Sequence, residues 1–256
     1  VLLSFTAMAQ NANNPFFKEW KTPFGAPPLE QIKNEHYLPA FEEGMKQHKQ
    51  EIDAIIKNTK AANFENTIAA LDKSGKFLNK VSAVFYGLNS ANTNAEMQKI
   101  AAEIAPKLSL HRDEISLNAE LFKRVKTVYD NESKKLKGEQ KRLLDETYKS
   151  FVRGGAELSA QDQSKLKELN GKLSSLQLAF EQNVLAETAG FQVIVEKESD
   201  LSGLSADMKT AAAERAKKAG LDGKWVFGLD NPTVMPFLYF ADNRYLREVM
   251  LRGYLN

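Results

Sequence analysis

FENTIAALDKSGKFLNKVSAVFYGL, residues 64–88, is the stretch that decides the fold. Phe64, Leu71, Leu78 and Phe85 recur every seven residues, and Ile68, Val81 and Leu88 fill the turns between them. That spacing draws a single apolar stripe along a helix, so the segment packs against another helix. Asn63 stands where an N-cap is needed, with a side-chain oxygen able to accept from an early backbone N–H.

The same period extends outward in both directions. Between Leu29 and Lys57 the residues Ile32, Leu38, Phe41, Met45, Ile52, Ile55 and Ile56 have roughly helical spacing. Pro27-Pro28 reads as the start of that helix and Pro39 as a kink or split within it. Further helices are expected over 96–117, with a kink at Pro106, over 121–129, and over 139–152, the last stopped by Gly154-Gly155. Residues 159–187 read as one long helix. Leu166, Leu169, Leu173, Leu176, Phe180 and Val184 step along it by threes and fours, the pattern of a coiled-coil seam. The seam is expected to be buried in an ordinary antiparallel helix pair within one domain. Gly171 inside it costs about 1 kcal/mol relative to Ala.

The period then changes. Phe191, Val193 and Val195 alternate with polar residues, and 224–229 reads as a second strand beyond a short helix over 206–219. Two strands alone are marginal in water, so they must pack on helices or on another part of the protein. Asn231-Pro232 opens a last helix running through Met235, Leu238, Tyr239, Leu246 and Val249. The fold class is therefore mostly α, with a small two-stranded β element near residues 191–229. The expected divisions are 1–9, an irregular but ordered arm over 10–28, a helical domain over 29–190, and a β-containing segment over 191–256 that begins a further helical region.

Composition narrows the function. The chain has 256 residues, 43% hydrophobic, and a net charge of +2 from 35 basic and 33 acidic residues. Charges of both signs are interspersed, so there is no basic face for nucleic acid and no apolar–basic partition for a membrane surface. With no cysteine, thiolate catalysis, disulfides and Cys-ligated zinc are excluded. Val1–Ala9, VLLSFTAMA, is too short to span a bilayer. It reads either as the end of a signal peptide with an Ala7-x-Ala9 cleavage site, or as a buried strand or helix.

The chemistry-bearing residues are few. His48 with Glu51 and His111 with Glu114 are spaced i, i+3, which can put two ligands on one helix face. A catalytic zinc needs three protein ligands, and there is no HExxH. Glu42-Glu43 reads as a solvated face, and Arg244, Arg247 and Arg252 as a salt-bridged or interface face of one helix. His36 belongs to no ligand set. No Walker loop, dinucleotide loop or nucleophile elbow occurs. Catalytic and metal residues are thus expected to be absent from these 256 residues, and substrate-binding residues are not assignable.

Several segments, in order, carry a resemblance. They are Glu35-His36-Tyr37-Leu38-Pro39-Ala40-Phe41, Phe64-Glu65-Asn66-Thr67-Ile68-Ala69-Ala70-Leu71 with Ser74-Gly75, and Ala105-Pro106-Lys107-Leu108 with His111. Leu121-Phe122 with Arg124-Val125, Lys224-Trp225-Val226-Phe227 and Asn243-Arg244-Tyr245-Leu246-Arg247-Glu248 follow. Together they resemble the N-terminal part of the thimet oligopeptidase family of zinc metallopeptidases, closest to its bacterial peptidyl-dipeptidase and oligopeptidase A branch. The resemblance implies one helical lobe of a two-lobed channel peptidase. It implies zinc in the full-length parent, held by an HExxH helix and a downstream Glu that this sequence does not contain. It further implies short peptide substrates, a missing C-terminal catalytic lobe as partner, and, with the leader-like start, export to a periplasm. A non-catalytic helical module that binds peptides or proteins is the alternative.

Overall fold

The computed structural model of the chain describes residues 13–255, so Val1–Ala9 lies outside the described residues. The chain divides into two compact units, with the boundary between Leu178 and Ala179.

Unit 1 is helical. Its elements are α1 (Tyr37–Ile56), a π-helical turn (Phe64–Ala69) that runs into α2 (Ala70–Lys73), α3 (Lys76–Ala91), α4 (Ala95–Ser116), α5 (Ala119–Glu132) and α6 (Gly138–Arg153). A long helix, α7 (Ala160–Gly190), begins in this unit and contains the boundary. Asparagines start three of these elements. Asn63 and Asn66 cap each other, each side chain accepting from the other's backbone N–H at 2.9 and 3.0 Å. Asn94 caps α4 through the N–H groups of Glu96 and Met97, and Asn118 caps α5 through that of Leu121.

The apolar positions read from the sequence form two clusters. One joins the arm to α1, α3 and α4 through Phe16, Tyr37, Phe41, Val81, Phe85 and Ile104. The other joins α1, the π turn, α5 and α6 through Ile52, Phe64, Ile68, Leu121, Val125 and Leu144. Each such side chain contributes about 1.5–3 kcal/mol when fully buried. Gly44 lets α1 and α3 approach: a Cβ there would lie 3.1 Å from Leu78. The arm is pinned by Lys80, whose ammonium lies 3.7 Å from the centroid of the Trp20 ring and donates to the Phe16 carbonyl.

Unit 2 holds the strands β1 (Val193–Val195) and β2 (Trp225–Phe227), antiparallel, with Val193 opposite Phe227 and Val195 opposite Trp225. Between them α8 (Ala206–Lys218) packs on β2, and after them come α9 (Asn231–Phe240) and α10 (Arg244–Leu255). Val193 and Val195 face a core with Leu201, Phe227, Phe237 and Met250, so the two-stranded ribbon is covered by helices.

Five sequence expectations are corrected. Pro27-Pro28 starts no helix. α1 begins at Tyr37, and Pro39 sits in its first turn, where a missing N–H costs nothing, so it splits nothing. The 64–88 stripe is not one helix: Ser74 is extended and Gly75 takes φ +70°. The seven-residue repeat survives because the break leaves both helical pieces on the same core. The last helix is two, parted where Ala241 turns extended at ψ 128°. The seam of α7 is not buried in a helix pair: Leu169, Leu173, Leu176, Phe180 and Val184 are all exposed. Among the described residues, no helix is long and apolar enough to cross a membrane.

Candidate functional site

A cleft of about 520 Å³ opens in unit 1 among α1, α3, α4 and α6. Leu78, Leu108 and Phe151 give it apolar walls, and Ser82, Ser116, Ser150 and Asn79 supply hydrogen-bonding groups. Arg112 reaches it from α4 and is exposed, with no ion-pair partner within 4.0 Å among the described residues. The arrangement suits a ligand with an apolar body and an anionic end.

Two histidines line the cleft. Nε2 of His111 lies 3.1 Å from Nδ1 of His48, and Nε2 of His48 lies 3.2 Å from Oγ of Ser74. The Ser74 hydroxyl is 2.7 Å from the Leu71 carbonyl, which can only accept. The direction of every proton follows. Ser74 donates to Leu71, His48 donates through Nε2 to Ser74, and the bare Nδ1 of His48 accepts from Nε2–H of His111. Both rings are neutral Nε2–H tautomers. Burial holds both below the ordinary imidazole value; a nearby His48 charge adds to this at His111, while Glu51 and Glu114 oppose it.

This relay does no nucleophilic chemistry. The Ser74 proton is committed to a carbonyl, and His48 is the donor to Ser74, so no base faces that hydroxyl. Nor do these residues fit zinc. Among the described residues, no three His, Asp or Glu side chains converge as a ligand set. Glu51 accepts from the Gly75 N–H at 2.7 Å, and Glu114 lies 3.4 Å from the Lys49 ammonium. The i, i+3 pairs are therefore split between other partners. The histidine pair spans 63 positions of sequence, and no local pattern signals it.

Gly75 belongs to the same device. A Cβ there would lie 2.9 Å from the His48 ring, so only glycine lets the ring lie over the turn. The remaining sequence candidates have structural roles. His36 Nδ1 accepts from the Lys33 N–H at 3.0 Å and fixes the turn into α1. Glu43 accepts from Gln47 and Lys46, and Glu42 faces Lys107 at 3.6 Å. Arg244, Arg247 and Arg252 do share α10. Arg252 pairs with Glu248 at 2.9 Å, and Arg247 donates to the Ala241 and Asp242 carbonyls.

The resembling segments also mark joints. Tyr37, Ala40 and Phe41 are buried in the first cluster. Arg124 donates to the Asn58 carbonyl at 2.9 Å and to Asn66 Oδ1 at 3.1 Å, tying α5 to the capping box of the π turn.

No protein-family model matches the chain. Relatives do. The dipeptidyl carboxypeptidase of Escherichia coli (strain K12) is 39% identical over 236 residues, 92% of this chain and 35% of that protein. That of Salmonella typhimurium is 37% identical, over 93% of this chain and 35% of that protein. Oligopeptidase A of Haemophilus influenzae is 29% identical, over 90% and 34% respectively. The chain spans about a third of the length of these curated relatives. Over nearly its whole length, then, the chain is a homologue of the N-terminal part of the dipeptidyl carboxypeptidases and oligopeptidases A, of the thimet oligopeptidase family.

Proposed function

We propose that the chain is the N-terminal lobe of an exported zinc-dependent oligopeptidase that cleaves short peptides and releases dipeptides. The observation that carries this is the 39% identity to a dipeptidyl carboxypeptidase over 92% of the chain, against 29% to an oligopeptidase A. Zinc would polarise the scissile carbonyl and activate water, with its ligands in the part of the parent beyond these residues. This lobe supplies a helical wall, and alone it is inactive. The leader-like Val1–Ala9 supports export.

The test is to extend the reading frame, purify the full-length protein from its native compartment and assay it. The expected result is about one bound zinc per chain, loss of activity on chelation, and dipeptides released from the C-terminus of blocked tripeptides. Internal cleavage alone would move the assignment to the oligopeptidase A branch. Absence of hydrolysis with zinc supplied would overturn it.

A second reading, a non-catalytic peptide-binding module, is favoured by the cleft beside Arg112. It requires micromolar binding of short peptides by the 256-residue chain without hydrolysis, weakened by Arg112→Glu.

A further inference from the structure

The long helix α7 turns the wrong face outward. Its inner face is small and polar. Gln163 donates to the Gly155 carbonyl at 3.2 Å, Asn170 to Asp113 at 2.8 Å and Ser174 to the Ala105 carbonyl at 3.3 Å. Only Leu166 and Leu178 pack inward among its large side chains in unit 1. Roughly 100° around the helix, within unit 1, lies a run of Leu169, Leu173 and Leu176. Their exposures are 60, 52 and 67%. Three large apolar side chains in one row on solvent mark a contact surface rather than a chance scatter.

We propose that this row is the seat of the rest of the full-length chain: α7 docks against the polypeptide that makes up the other two thirds of the relatives' length. The proposal rests on the reading of the chain as one lobe of a longer peptidase. Two observations choose this occupant. The matched relatives extend far beyond the matched third, so on that reading a partner of ample size belongs to the same chain. A second copy is disfavoured by the flanks of the row. Lys165 and Lys172 beside it are already paired with Asp162 and Glu168 of the same helix at 3.3 and 2.6 Å, so self-pairing finds no unpaired lysine there to bridge to a second copy.

The absence of cysteine from the chain gives a clean probe. Leu173→Cys is to be labelled with a maleimide in the 256-residue chain and in the full-length protein, with the labelled peptide identified by mass. Ser175→Cys, on the exposed polar side of α7, is the control. The expected result is rapid labelling of both in the short chain. In the full-length protein Leu173→Cys should slow at least tenfold and Ser175→Cys should not. Equal rates at Leu173→Cys in the two proteins would overturn the proposal. So would protection already present in the short chain, whether at all concentrations (cover from within the chain) or only at high concentration (a second copy). Hydroxyl-radical oxidation of Leu176 in both unmutated proteins gives the same comparison should Leu173→Cys fail to fold. The readout is independent of catalysis. Protection without peptidase activity removes the functional reading and keeps the docking surface, and activity without protection does the reverse.

Discussion

His111 donates through Nε2 to Nδ1 of His48 across 3.1 Å, a hydrogen bond from α4 to α1 inside the cleft. It exists only while His48 is neutral, because a protonated His48 has no acceptor left to offer.

Stability of unit 1 should therefore depend on pH, with a defined sign. Both histidines have folded values below the ordinary 6.5, so below that pH the unfolded chain binds more protons than the folded one. Their contribution is complete above about pH 6.5 and is lost as pH falls from there through the folded values. Glu51 and Glu114 face the pair and soften the loss, while Lys49 sharpens it at His111. Each ring can contribute a slope of at most about 1.4 kcal/mol per pH unit. Urea unfolding at pH 7.5 and 5.5 measures it. His48→Gln should lower stability at pH 7.5 and flatten the dependence; an unchanged slope would remove the pair as its cause.

Gly75→Ala should cost more than a glycine at positive φ usually does. Left-handed backbone costs an L-residue about 1–2 kcal/mol. At Gly75 the added Cβ also meets the His48 ring at 2.9 Å, whereas at Gly138, φ +56°, it meets nothing within 4 Å. Gly138→Ala is thus the control for conformation alone. Gly75→Ala should exceed it by about 1 kcal/mol or more, the scale of a lost buried hydrogen bond. Equal costs, read from urea midpoints, would mean that His48 moves aside freely.

Arg124 should be irreplaceable by lysine. Its guanidinium divides between the Asn58 carbonyl and Asn66 Oδ1, two directions that a single ammonium cannot serve at once. Arg124→Lys is expected to lose about 1–3 kcal/mol, and Arg124→Ala at least as much. Hydrogen exchange should show the loss first at the Asn63–Asn66 turn. If Arg124→Lys is as stable as the unmutated chain, the fork geometry is irrelevant.

How far the sequence could be read depended on the distance between partners. Helices 95–116, 119–132 and 138–153 were legible because their period and caps are local: Asn118 sits two residues from the end of one helix and starts the next. The break at Ser74-Gly75 was hidden because Leu71, Leu78 and Phe85 keep their spacing across it. On α7 the period located an apolar face correctly but could not say what covers it. The site was the least legible part. His48 meets His111 and Ser74 at separations of 63 and 26 residues, and only the fold brings them together.

Unit 2 should be separable from unit 1 by one substitution. Gly203 has φ +86°, and a Cβ on it would lie 1.9 Å from the Phe240 carbonyl oxygen, a backbone atom that cannot rotate away. The same turn is held by the Asp242 N–H donating to the Ser202 carbonyl at 2.9 Å. Gly203→Ala must therefore open the contact between this turn and the end of α9, close to Leu204 and Phe237 in the core of the unit. A loss above about 4 kcal/mol is expected, a magnitude reserved for such backbone conflicts. The two tryptophans report on the units one by one, Trp20 in unit 1 and Trp225 in unit 2. In Gly203→Ala combined with Trp20→Phe, the Trp225 emission should be red-shifted without denaturant. In Gly203→Ala combined with Trp225→Phe, the Trp20 transition should keep its urea midpoint. A midpoint that falls with the Trp225 signal would show that the units unfold together.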